Sequence, residues 1–496
     1  MSANPNPAPK SGDDALVRSY DDVPYTSFPD SVRHPDRLAT IGTLLGLNVA
    51  PVATSRVLEL ACGDGLNLVP IAATLPNANF VGFDFAPRPI ARAQQMSRDL
   101  GLTNVSLLQL DLRDLPASLG HFDYIIAHGL YSWVPAEVRA HIMPLLARHL
   151  APNGVAFVSY NTLPGCHVRR VVWDMLKYHT RNIADKPAKV AAARQLLNMV
   201  ATPVDIDDET QLAIRAEVRS SAEGPEAALA HDDMSEPNDP VYFHEFMADA
   251  TRAGLTFLAE ARLSTMMGGG LAPEVRQALA PLDRLAREQY LDFIHFRRFR
   301  VSLLCHANAL SRFVVQPPRV LSMHLSPSMN MRRAAASETR SPDPDPVVDA
   351  VRSYLLARWP ATVPVAEFAE WHRRNAAGAG AGAARAAELL VAELFVAGLV
   401  DLRTEPVAAV RTPGERPEAF AAARWINRAH DVIPNLYYEA LRHQDPIGRR
   451  LLALLDGTRT RDDLAAALDG PFAGQAGRAQ LDEVLATLAG KALLVR

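Results

Sequence analysis

Val57-Leu58-Glu59-Leu60-Ala61-Cys62-Gly63-Asp64-Gly65-Leu66-Asn67-Leu68 decides how this chain is read. Apolar residues run into an acidic, glycine-bearing turn and then into an amphipathic segment, which is the pattern of strand, tight loop and helix. Gly63 and Gly65 permit positive φ and close approach of a ligand, and a helix beginning near Leu66 points free amide groups above the loop. A nucleotide-like ligand is expected there. Further apolar runs follow at Val81-Gly82-Phe83-Asp84, Leu107 to Asp111, Phe122 to Ala127 and Val155 to Tyr160, with helical-looking stretches between most of them. This alternation predicts an α/β fold with a Rossmann-like, doubly wound, mostly parallel sheet. Asp84 falls about 20 residues past the glycines, where such a fold sets an acid against ribose hydroxyls. Ligands of these sheets bind outside the carboxyl ends of the strands, and Glu59, Asp84, Asp111 and His128 are all expected there.

Residues 57 to 160 resemble class I S-adenosylmethionine-dependent methyltransferases. The family's first motif has an acid at the strand end and small residues in the loop, matched by Glu59, Ala61, Gly63 and Gly65. Ala61 stands where the family usually has glycine. The resemblance implies that Asp84 holds the ribose, that Asp111 and Leu112 lie beside the adenine, and that Phe85 and His128 complete the S-adenosyl-L-methionine site. A nicotinamide enzyme would use Asp84 but has no particular use for Glu59 and Asp111.

A narrower likeness covers most of the chain. Tyr20 to Tyr25, His34-Pro35-Asp36-Arg37-Leu38, His128 to Pro135 and Tyr160 to Gly165 resemble methyltransferases with an appended regulatory domain, the rickettsial protein-lysine methyltransferases among them. Asn238 to Phe246, Glu288 to Phe293 and Arg297 to Arg300 continue it. Leu163 and Cys166 depart from the aromatics expected around Pro164-Gly165. Methyl transfer is an in-line displacement, so the enzyme mainly aligns donor and acceptor and removes a proton from an ammonium acceptor. Tyr131, Tyr160 and Asn161 are the expected catalytic groups, the two tyrosines as polar walls of an acceptor channel. Trp133, Tyr25 and His34 are expected on the substrate side. No metal is required. The favoured acceptor is a lysine of a protein; a small-molecule methyltransferase and a non-catalytic, cofactor-sensing scaffold are the alternatives.

At 496 residues the chain has room for about three or four domains. The net charge of −4 argues against a protein whose affinity comes from neutralising phosphates, so no nucleic acid is expected. Its three cysteines have no paired spacing for a metal or redox couple and suit a reducing compartment. Met1 to Lys10 lacks the apolar core of a signal peptide, and no apolar run reaches the ~18 residues of a spanning helix, so a cytoplasmic protein without membrane insertion is expected.

The reading divides the chain into an N-terminal arm (1–36), the methyltransferase domain (37–170), a helical connector (171–215) with apolar surface for a lid or homodimer contact, and a mainly helical regulatory domain (216–310). Helical periodicity there is read around Phe243 and again from Leu282 to Leu304, with the arginines near 300 on a solvated face. A linker (311–346) containing the proline-rich Ser337 to Pro346 follows. Leu356 to Ala369 then aligns without gaps with Leu452 to Ala465, which predicts two winged-helix-like units (347–403 and 404–496). Thr460 and Asp463 have capping-box spacing. Acidic turns in the second copy favour protein contacts over DNA, and the tail is expected to be separable from cofactor binding.

Overall fold

The computed structural model describes residues 28–202, 208–336, 345–376, 385–468, 472 and 474–496. Its centre is a seven-stranded sheet ordered β3-β2-β1-β4-β5-β7-β6. The strands are β1 (Arg56–Leu60), β2 (Asn79–Asp84), β3 (Val105–Gln109), β4 (Phe122–Ala127), β5 (Leu150–Asn161), β6 (Leu255–Glu260) and β7 (Phe299–His306). The first five pair in parallel, whereas β7 runs antiparallel to both β5 and β6. Helices cover both faces, so central strands are apolar at successive positions: Leu58, Ile125 and Ile126 are all fully buried. Strand order reverses between β1 and β4, and the crevice at their carboxyl ends is where such a sheet accepts a ligand.

Helices α1 (Pro35–Leu44), α2 (Leu68–Thr74), α3 (Pro87–Asp99) and α4 (Ala136–His149) belong to the sheet domain. After β5 come α5 (Cys166–Thr180), α6 (Lys186–Ala201) and α7 (Glu209–Glu223), which share a small core of Val172, Leu176, Val190, Leu197 and Val218. The chain breaks between α5 and α6 where Asp185-Lys186-Pro187 was expected to interrupt it, Asp185 capping the Ala188 amide. Helices α8 (Phe243–Arg252) and α9 (Arg284–His295) come from the regulatory segment.

That segment does more than supply helices. The periodicity read through Leu304 ends at His295, and residues 299–306 form β7, hydrogen-bonded to β5 from Ala156 to Asn161. The solvated arginine face also needs correction. Arg300 is 1% exposed and meets Glu260, Glu288 and Asp292, with N···O distances of 2.6, 3.1 and 2.8 Å. Glu288 and Asp292 lie one helical turn apart on α9, which is why both reach the same guanidinium.

The linker expected over 311–346 contains folded elements: a 3-10 turn (Pro317–Ser322), strand β8 (His324–Pro327) and a helix (Met329–Ala336). Residues 337–344, most of its proline-rich part, lie outside the described residues, as do the glycines of 378–382. Strand β8 is the middle of an antiparallel sheet with β9 (Val363–Pro364) and β10 (Val400–Arg403), so the first C-terminal unit begins before the linker ends. The second copy holds helices at Ala421–Ile426, Pro446–Leu454, Arg461–Ala467 and Gly474–Gly490, and a two-stranded ladder of Val432–Pro434 with Ala440–Arg442. Thr460 and Asp463 form the expected capping box. Among the described residues no helix is long and apolar enough to cross a membrane.

Candidate cofactor and acceptor site

The loop between β1 and α2 turns back on itself because Ala61, Gly63 and Gly65 all have positive φ, at 53°, 55° and 73°. A Cβ on Gly65 would lie 2.8 Å from Ala93 Cβ, so this glycine is needed by the packing of α3 as well as by its backbone angle. A Cβ on Gly63 would meet nothing within 4 Å, which leaves open space above the loop. Ala61 is an L-residue in the left-handed region, a cost of about 1–2 kcal/mol that a glycine would avoid.

Asp84 ends β2 and ties this loop to the next. Its Oδ2 accepts from Gly63 N at 3.0 Å and its Oδ1 from Ala86 N at 2.9 Å. Burial raises its pKa, opposed by those amides. Asp111 caps the turn after β3, accepting from Arg113 N at 2.8 Å and pairing with the Arg113 guanidinium. Glu59 lies beneath the loop, 4% exposed; its Oε1 accepts from Asn67 Nδ2 at 2.8 Å and its Oε2 has no partner. Burial pushes this carboxyl up to about 8 despite the nearby Arg33 guanidinium. Arg33 is itself 4% exposed with an unpartnered Nε.

His128 follows β4 and packs against Phe157 and Phe299. Its Nδ1 lies 2.9 Å from Ser159 Oγ, which also accepts from Gly129 N at 3.0 Å. With one proton and two lone pairs, this hydroxyl can donate to Nδ1 or accept from it, according to the ring tautomer. Burial and then Arg33 hold the imidazole well below its usual pKa, so it is neutral. Trp133 presents a buried indole N–H that has no partner.

These groups surround a cavity of about 660 Å³ at the switch point, within the range of small-molecule sites. Ala61, Gly63, Asp84, Phe85, Asp111 and Leu112 line one part of it. His128, Trp133 and Asn161 line it further along, where Arg169, Asp232 and Glu236 join them. Gly65 and Glu59 support the loop from behind.

The two tyrosines expected as channel walls lie elsewhere. Tyr131 is 1% exposed and donates to Asp249 Oδ2 at 2.6 Å; Tyr160 is fully buried, stacks on Phe246 at 4.0 Å and meets Ser302 Oγ at 3.1 Å. Successive strand residues point to opposite faces, so Ser159 and Asn161 share the cavity side of β5 and Tyr160 faces the core under α8. His34 is the N-cap of α1: its Nδ1 accepts from Asp36 N at 3.1 Å, it is 6% exposed, and it does not line the cavity. Tyr25 lies outside the described residues.

Sequence reasoning missed two features. The regulatory segment supplies part of the cavity wall, and the C-terminal unit braces the loop from below. Tyr438 Oη donates to Leu66 O at 2.9 Å and Asn67 O at 2.6 Å, from a backbone with φ of 62°. The tail, expected to be separable from cofactor binding, thus touches the segment that follows the glycine loop.

Residues 57–154 match the methyltransferase domain model, and 225–306 match the predicted methyltransferase regulatory domain. The Rickettsia prowazekii protein RP028 is 36% identical over 47% of this chain and 94% of its own length. The chain belongs to the S-adenosylmethionine-dependent methyltransferases with a regulatory domain. A second R. prowazekii relative, RP789, is 41% identical over 58% of this chain, which spans about half (52%) of that protein. PKMT2 from Rickettsia typhi superimposes with a TM-score of 0.80 over 95% of this chain and 100% of its own, at 25% identity. Its complex with AdoHcy gives 0.81. For this methyltransferase family the residues present fit the donor: an open loop face at Gly63 and a buried carboxylate at Asp84, both lining the cavity.

Proposed function

We propose that this methyltransferase transfers the methyl group of S-adenosyl-L-methionine to lysine side chains of a protein substrate. The observation that carries this reading is one cavity that runs from the glycine loop to carboxylates contributed by the regulatory segment. When bound, the cofactor supplies an electrophilic methyl group on a sulfonium. Asp84 would hold the ribose, Leu112 and Phe85 would flank the adenine, and Glu59 would reach the amino-acid tail only from behind the loop. Neutral His128 adds no positive charge beside a sulfonium. Asn161 and Trp133 orient the acceptor, and the acidic far wall favours one that arrives as a cation.

The name PKMT2, for protein-lysine methyltransferase, supports the same acceptor, and the net charge of −4 supports a protein over a nucleic acid as partner. The test is incubation of the purified chain with methyl-labelled S-adenosyl-L-methionine and a panel of lysine-rich bacterial surface proteins, followed by tandem mass spectrometry. Methyl groups on lysine are expected. Label confined to small molecules, or to residues other than lysine, would overturn the assignment.

A further inference from the structure

The far wall of the cavity contains two adjacent aspartates in different circumstances. Residues Leu229–Asp233 form a π-helical turn, closed by Met234 N donating to Leu229 O at 3.0 Å. Its wider turn directs neighbouring side chains to different surroundings, and such turns recur at functional sites. Asp233 points at α5, where its Oδ1 accepts from Arg169 Nη2 at 2.7 Å and Trp173 Nε1 at 3.0 Å. Asp232 lines the cavity, and its carboxylate has neither hydrogen bond nor ion pair with another described residue.

The position of Asp232 is fixed through its backbone. Asn238 Nδ2 donates to Asp232 O at 2.6 Å, and Asn238 Oδ1 accepts from Asn161 Nδ2 at 2.9 Å. Asn161 is the last residue of β5, 2% exposed, and lines the same cavity. A carboxylate with no hydrogen-bond partner among the described residues is thus referenced to the strand end at which the acceptor must lie.

We propose that Asp232 is the residue that binds the acceptor ammonium and takes its proton. This rests on the lysine reading. One N–H bond of the ammonium breaks, its electron pair stays on nitrogen as the attacking lone pair, and the proton moves to an Asp232 oxygen and then to solvent. The charged groups facing Asp232 are Asp233 on its own turn, Arg169 from α5, and His231 and Glu236 along the wall; Glu137 and Arg113 share the cavity. Arg169 is paired with Asp233 and Glu217, its Nε 3.5 Å from Glu217 Oε1, and its charge acts on Asp232 only from a distance, opposing the upward shift. Burial, with Asp233 beside it, pushes Asp232 up to about 6, a useful value for a group that must accept and release a proton near neutrality.

The test uses the full chain saturated with S-adenosylhomocysteine, with n-butylammonium chloride as a probe of the lysine side chain and 1-butanol as its uncharged control. Wild type should prefer the cation by about 10-fold, and Asp232→Asn should lose that preference while its S-adenosylhomocysteine affinity stays the same. Glu236→Gln should keep most of it. No preference in wild type, or one that survives in Asp232→Asn, overturns the proposal. On a lysine acceptor, turnover of Asp232→Asn at pH 7 should fall by about 30-fold and recover as pH rises; an unchanged pH profile also overturns it. Methylation on another residue type would defeat the lysine reading, while the butylammonium result still decides whether Asp232 binds a cation.

Discussion

Replacing Glu59 with glutamine should remove the pH-dependent stability that this carboxyl contributes between about pH 4.5 and 8. The carboxyl is 4% exposed, keeps one hydrogen bond, and is raised by burial to about 8. In the unfolded chain it titrates near the ordinary glutamate value. Between those two values the folded state holds a proton that the unfolded state has released. Stability from this group is therefore complete below about pH 4.5 and falls by about 1.4 kcal/mol per pH unit until the folded group ionises. The total across the interval is on the order of 5 kcal/mol. Glutamine keeps the oxygen that accepts from Asn67 and cannot ionise. Urea unfolding of wild type and Glu59→Gln from pH 5 to 9, without cofactor, should show the variant gaining on wild type with rising pH and levelling off above about pH 8. Parallel profiles would refute the buried, protonated Glu59. Binding supplies a second check: if the cofactor's amino-acid tail pairs with Glu59, S-adenosylhomocysteine should displace up to one proton at pH 7 in wild type. Calorimetry in buffers of different ionisation enthalpy should find that release missing in the variant.

Asp84→Ala removes the acceptor shared by the Gly63 and Ala86 amides as well as the expected ribose contacts, so S-adenosylhomocysteine affinity should drop by about 100-fold or more, on charged hydrogen bonds of about 1.5–3 kcal/mol each. An unchanged affinity by calorimetry would refute this cofactor placement. Tyr438→Phe leaves the buried carbonyls of Leu66 and Asn67 without their donor and should cost about 1–3 kcal/mol. Calorimetry should find weaker S-adenosylhomocysteine binding as well; full affinity in this variant would reduce Tyr438 to a brace between units. Arg300→Met strands three buried carboxylates and should destabilise by about 3–5 kcal/mol, seen as a lower thermal midpoint or insoluble protein. A midpoint within a degree or two of wild type would count against the buried ion network.

Local patterns carried the parallel part of the sheet. Strands β1, β2, β4 and β5 read as apolar runs because both their faces are covered, whereas β3, at the sheet edge, buries only Leu107. The edge formed by β6 and β7 was harder to see. Arg297, Arg298 and Arg300 interrupt the apolar pattern just after a strongly periodic helix, and a buried arginine is indistinguishable from a solvated one until Glu260, Glu288 and Asp292 are brought beside it. The candidate site divides in the same way. Asp84, Asp111 and the glycines follow from position along a strand or loop, whereas Tyr131 and Tyr160 were chosen for their chemistry although alternation along β5 sets Tyr160 opposite Asn161. Asp232 has no motif, since only the π turn distinguishes it from Asp233. Tyr438 is more than 370 residues from the loop it braces, a separation that no pattern in one chain reports.

The regulatory segment is built as a fixed wall of the acceptor site. Strand β7 is laddered to β5 from Ala156 to Asn161, and Phe299, at the start of that ladder, itself lines the cavity. Beyond the ladder, Val241 N donates to Asn161 O at 3.2 Å, Leu163 N to Val241 O at 3.1 Å and Asp239 N to Ser132 O at 2.9 Å. A lid that swung open would break these backbone bonds and expose the Arg300 cluster, a cost well above that of ordinary loop motion. If the lysine reading holds, the acceptor enters by the existing mouth of the cavity and must reach past Trp133 and Glu236 to Asp232. Away from that wall, Tyr438 holds the carbonyls of Leu66 and Asn67, just after the glycine loop. Weaker cofactor binding in Tyr438→Phe would therefore show that a change in the C-terminal unit reaches the glycine loop without touching the acceptor wall.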